Sequence, residues 1–195
     1  MSRRQFNRLI AGSLLSLVMP AAGRAEESVP KTDRISLPPD HRVFDSPSGR
    51  FRLEISTDDH WKTRRATGEL RDQKNPAAPC WRQTLPQTQG PRHVLVTDQG
   101  LVLMIDSWIN SPSPHALVLL GIDGEQRASY SIDAVIAILG VARRSVTEHA
   151  RLGIWLSAAP ALSADGSSVV LASSGRKLIL KLANGSLTVA DQSQN

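Results

Sequence analysis

Thr97-Asp98-Gln99-Gly100-Leu101-Val102-Leu103-Met104-Ile105-Asp106-Ser107-Trp108 is the stretch whose pattern decides the fold. Leu101 through Ile105 is apolar at every position. A strand with one wet face alternates with period two, so an unbroken apolar run between polar ends predicts a central strand covered on both faces. Asp98-Gln99-Gly100 predicts a turn that returns the chain against His93–Thr97, which reads as a partner strand.

The same pattern spreads outward. Arg50-Phe51-Arg52-Leu53-Glu54-Ile55 alternates strictly, with Phe51, Leu53 and Ile55 toward a core. His115–Ile122 is a further apolar run, and Asp123-Gly124 then turns into Glu125–Tyr130. Asp-Gly between two such runs is a strong hairpin signal, because both turn positions favour positive φ. Trp81 opens a further strand, preceded by Cys80. Val169–Ala172 and Lys177–Leu182 read as strands, and Asn184-Gly185 turns into Ser186–Ala190. Two short helices interrupt the series. Ile132, Val135, Ile136 and Leu139 share a helical face, with Ser131 as cap and Gly140 as stop; a strand through Val135–Leu139 is the alternative. Ser145-Val146-Thr147-Glu148 fits a capping box, with Gly153 ending that helix. The expected fold is mainly β: an antiparallel hairpin meander, partial-propeller or sandwich-like, with one or two short helices.

Ser46-Pro47-Ser48-Gly49, Thr97-Asp98-Gln99-Gly100 and Ser163-Ala164-Asp165-Gly166 each set a Ser or Thr and then Gly at a turn before an apolar strand. The hydroxyl caps the turn and glycine takes positive φ. The third is similar to the Ser-Pro-Asp-Gly turns of WD40-like and TolB-like propeller blades. With Ile105-Asp106-Ser107-Trp108, Val118-Leu119-Leu120, Tyr130-Ser131-Ile132-Asp133 and Asn184-Gly185, the order of pieces from Phe44 to Leu187 resembles a family of exported bacterial proteins of unknown function. The resemblance implies a β-rich partial propeller and brings no catalytic residues. Three blade-like units are too few for a closed propeller. The expected partner is therefore another periplasmic protein, or a second copy, meeting an open sheet edge.

The start of the chain reads as an address. Arg3, Arg4 and Phe6 resemble a twin-arginine motif, with Asn7 and Arg8 in place of its usual Leu and Lys. Leu9–Met19 is too short for a stable span, which needs about 20 residues. Small residues at Gly23 and Ala25 place cleavage after Ala25. The expected organisation is a signal over 1–25, a flexible or extended lead-in over 26–40, one β-rich domain over 41–190, and a disordered tail over 191–195. The expected location is the periplasm, with no stable membrane anchor after cleavage. Arg3, Arg4, Arg8 and Arg24 account for most of the net charge of +5; without them 19 basic residues face 18 acidic ones. That balance excludes the basic footprint that phosphate backbones demand, so nucleic acid is not an expected partner.

The chain carries no Gly-x-Ser-x-Gly elbow, Walker loop, dinucleotide fingerprint, HExxH or Cys-x-x-Cys. No catalytic residue, cofactor or metal is assigned. Asp106 and Trp108, polar and aromatic groups after a wholly apolar strand, are the leading candidates for a binding site. His115 and Trp81 join them; Trp61, Trp81, Trp108 and Trp155 would form a contact surface if they shared an exposed face. A soft-metal set of His93, His115, Met104 and Cys80, and a hydrolytic set of Asp106, His115 and Asp123, are the alternatives. Cys80 has no partner within the chain and reads as a small buried residue. A non-enzymatic periplasmic binding or accessory module is the function expected.

Overall fold

The computed structural model describes residues 36–109, 112–150 and 154–190; the side chains of His149 and Ala150 are outside that description. Arg3, Arg4, Phe6, the cleavage site, Gly153 and the 191–195 tail all lie outside the described residues. The described chain is mainly β. Three four-stranded antiparallel sheets follow one another, each a meander pairing neighbours in the chain. The first holds β1 (His41–Asp45), β2 (Phe51–Ser56), β3 (Thr67–Asp72) and β4 (Trp81–Thr84). The second holds β5 (Pro91–Val96), β6 (Val102–Ser107), β7 (Leu117–Leu120) and β8 (Gln126–Tyr130). Helices α1 (Ile132–Leu139) and α2 (Arg143–Ala150) come next. The third sheet holds β9 (Ala161–Leu162), β10 (Ser168–Ser173), β11 (Arg176–Lys181) and β12 (Leu187–Val189).

The second sheet is the middle of the stack. Every residue of β6 and β7 is buried. Alternate side chains go to opposite faces of a sheet. Val102, Met104, Val118 and Leu120 therefore pack with Phe51, Leu53, Ile55, Leu70 and Trp81 of the first sheet. Leu103, Ile105, Leu117 and Leu119 pack with Val169, Leu171, Leu178 and Leu180 of the third. That second core also takes Ile132, Val135 and Leu139 of α1, Val146 of α2, and Trp155.

The three Ser/Thr–Gly turns occupy the same place in each sheet, between the first and second strands, and they share one hydrogen-bond pattern. Ser46 N–H donates to Phe51 O (2.8 Å), Thr97 N–H to Leu101 O (2.9 Å) and Ser163 N–H to Ser168 O (2.9 Å). The hydroxyl of each accepts from the amide of the same residue it donates toward: Phe51 (3.1 Å), Leu101 (3.1 Å) and Ser168 (3.0 Å). Gly49, Gly100 and Gly166 take φ of 72°, 77° and 67°. Consecutive turns also meet, since Asp98 Oδ1 accepts from Ser48 N–H (3.0 Å) and Oγ–H (2.6 Å).

Helix α1 has its expected ends: Ser131 Oγ accepts from Ala134 N–H (3.2 Å), and Gly140 is left-handed at φ 62°. Three expectations are corrected. Helix α2 begins at Arg143, so Ser145 lies inside it; the Ser145 amide already bonds Ala142 O, and Glu148 pairs with Arg144 at 2.7 Å instead of reaching back. Strand β5 begins at Pro91, a tolerated first residue on an edge strand, two residues before His93. Cys80 is exposed, at the end of the Pro76–Pro79 loop before β4. Of the expected lead-in, Ser36 to Asp40 is described and is tied down: Pro38 O accepts from the Trp61 indole (2.8 Å) and Asp40 O from Thr57 N–H (3.0 Å).

Candidate functional site

Asp106 belongs to β6 itself, not to the loop beyond it, and has φ 54°. Aspartate tolerates this left-handed conformation better than most residues, because its short side chain bonds locally. Here Oδ1 accepts from Ser107 N–H (3.0 Å) and Ser113 N–H (2.7 Å), while the Asp106 amide donates to Ala116 O (3.0 Å). The carboxylate is fully buried, and its Oδ2 has no partner among the described residues. Asp106 is thus a clamp that fixes both ends of the 107–113 connection. His115 is half-buried beyond that clamp, its amide donating to Ser113 Oγ (3.2 Å).

What the clamp presents is Trp108, which is half-buried. Its amide donates to Gly90 O (2.9 Å) and its indole N–H to Ser36 O (2.8 Å). The Arg42 guanidinium lies 4.9 Å from the ring centroid and that of Arg92 5.4 Å, both within cation–π range. Arg92 also donates to Trp108 O (3.0 Å). Arg42 enters from the first sheet. It is paired in register with Ile55, whose side chain is in the core, so Arg42 occupies a core-facing place on β1. Its Nε and Nη2 are sealed from solvent without an acceptor, and burial pulls its pKa down to about 10, which leaves it charged at neutral pH. Gly90 is needed beside it: a Cβ there would stand 2.9 Å from Arg42 Nη2. His93 feels the same corner. Burial pushes its imidazole below the ordinary value, Arg92 and Arg42 push the same way, and Asp106 opposes them.

The other sequence candidates do not join this corner. Trp81 is buried in the first core against the Gly124 turn, where a glycine Cβ would lie 2.8 Å from its ring. Trp61 and Trp155 are also buried, so the four tryptophans form no shared exposed face. His93 pairs with Ile105, which faces one core, while Met104 faces the other. With Cys80 out on the β3–β4 loop, the soft-metal set is dispersed. Among the described residues, no group of three His, Cys, Asp or Glu side chains is placed to hold a metal ion. Asp123 pairs with Arg127 beyond the far end of β7 from His115, so the hydrolytic set does not converge either. Arg42, Gly90 and Arg92 were not singled out by sequence. An arginine on the core-facing register of a strand was the available signal, but it depends on knowing that Arg42 opposes Ile55. No family model, no curated protein and no solved structure matches the chain.

Proposed function

We propose that this chain is a non-enzymatic binding or accessory module that acts in the periplasm after export in folded form by the twin-arginine route. The observation that carries the proposal is Trp108, half-exposed on a rigid β frame, held by an aspartate clamp and flanked by two guanidiniums. Aromatic and arginine side chains held in place are what contact sites use for affinity. The Arg3, Arg4 and Phe6 pattern supports the export route, and no described helix is long and apolar enough to cross a membrane. The partner is another periplasmic protein or a second copy of this chain.

The test is crosslinking in the periplasm of cells producing the full chain. A discrete crosslinked species is expected, and Trp108→Ala should abolish it. An unchanged species in the variant would refute Trp108 as the contact, and no species at all would refute the module. Export is tested separately: Arg3→Lys with Arg4→Lys should hold the chain inside the cytoplasm.

A further inference from the structure

Arg42 has a defect of a particular shape. Its two unpaired nitrogens, Nε and Nη2, form one edge of the guanidinium, the edge that donates two parallel N–H bonds to a carboxylate or phosphate. Buried polar groups are normally satisfied, and a buried cation without an acceptor is the costliest exception. The neighbours do not supply one. Gly90, Ala66 and Ile55 are apolar or side-chain-free, and the faces of Phe44 (5.5 Å) and Trp108 (4.9 Å) flank the charge. Asp106, whose charge also acts on His93 in this corner, turns Oδ1 to the Ser107 and Ser113 amides. Among the described residues neither Arg42 nor Arg92 forms an ion pair, so the corner holds guanidinium charge without a carboxylate partner.

The geometry points to an oxyanion-binding site at Arg42, with Arg92 and Trp108, that takes one negative charge of a small ligand bearing a carboxylate or a phosphate. The anion would meet the Nε and Nη2 edge, and the indole would form the apolar wall beside it. In this structure the edge is closed to solvent, so binding requires a local opening of the corner. The site rests on the binding-module reading and names the chemistry that module recognises.

The experiment is a titration of the full chain with sodium acetate and, separately, with sodium phosphate at constant ionic strength, followed by calorimetry and tryptophan fluorescence. Saturable binding of at least one anion is expected, and the anion that binds identifies the carboxylate or the phosphate source. Arg42→Met should weaken it about tenfold or more, since a charge-assisted bidentate contact is lost. Arg52→Met, which breaks an exposed pair with Asp45 (2.7 Å), should leave it unchanged. Replacing an unpaired buried charge by an apolar chain of similar length should not unfold the protein. Should Arg42→Met fail to fold, the Arg42 Nε–H resonance of the unaltered chain decides: it shifts on saturation if the site is real. No saturable binding of either anion, full affinity in Arg42→Met, or an unmoved Arg42 resonance would overturn the proposal. Loss of anion binding with the Trp108-dependent crosslink intact would leave the module standing and remove only this site.

Discussion

Replacing Asp106 by alanine should be among the most damaging single changes on the polar side of this fold. The residue is fully buried, and its Oδ1 takes two backbone amides, Ser107 at 3.0 Å and Ser113 at 2.7 Å. Alanine leaves the Ser113 amide without its acceptor in a dry site, and weakens the satisfaction of the Ser107 amide. A buried donor left unmade costs about 1–3 kcal/mol. Alanine at φ 54° adds roughly 1–2 kcal/mol, because its Cβ crowds the carbonyl and it has no side-chain bond in return. The total expected is about 2–5 kcal/mol, or a fall in Tm of roughly 4–20 °C for a chain of this size. Asp106→Asn keeps Oδ1 and tolerates the same φ, so it should cost less than about 1.5 kcal/mol. Equilibrium urea unfolding of the three proteins measures both differences. If the alanine variant unfolds within about 0.5 kcal/mol of the unaltered chain, or the asparagine variant is equally damaged, the clamp is not what holds the loop.

Further outcomes follow from the same frame. Gly49 and Gly185 both have positive φ, but a Cβ at Gly49 meets nothing within 4 Å, whereas at Gly185 it would lie 2.5 Å from Ala128 Cβ. Gly185→Ala should therefore destabilise by about 1–3 kcal/mol more than Gly49→Ala in paired thermal melts. Leu103→Ala, in the second core, should cost about 2–5 kcal/mol by urea unfolding, and Ile179→Ala, half-buried on the open face of the third sheet, clearly less. Asp165 is held down to a pKa of about 2, chiefly by the Ser163 hydroxyl and then by the Ser167 amide and hydroxyl. A depressed carboxylate stabilises above its unfolded pKa of 3.8 and loses that contribution as pH falls through about 2. Melting temperatures of Asp165→Asn should thus lie below those of the unaltered chain at pH 5 and converge with them toward pH 2.

Strands carrying an apolar run or a hairpin turn signal were legible in sequence, whereas β1, β3 and β9 were missed. β2 shows Phe51, Leu53 and Ile55 at period two, and β6 is apolar from Val102 through Ile105. β1 hides its period because Arg42 stands where the core expects an apolar side chain. β3 hides it for a different reason. Gly68 faces inward because Leu85 fills the space above it, 2.7 Å from where a Cβ would be, so Leu70 alone signals the strand. β9 is two residues long and carries no period at all. The site was half legible on the same terms. Asp106 and Trp108 follow the decisive apolar run, whereas Arg92 comes to the indole through the pairing of β5 with β6, and Arg42 through the packing of the first sheet on the second.

The middle sheet also sets the order in which the chain can become stable. Every strand pairs with its sequence neighbour, so each meander closes on short loops and pays little of the entropy that slows β topologies. Closing the second sheet alone, however, leaves both of its faces apolar. Once the first sheet has formed, Leu103, Ile105, Leu117 and Leu119 stay open to water until α1 and the third sheet arrive. A chain halted at Tyr130 would present that face to its neighbours as an aggregation surface. The third sheet therefore acts as the lock of the fold: without it the middle sheet keeps one apolar face uncovered, however completely its own hairpins are closed.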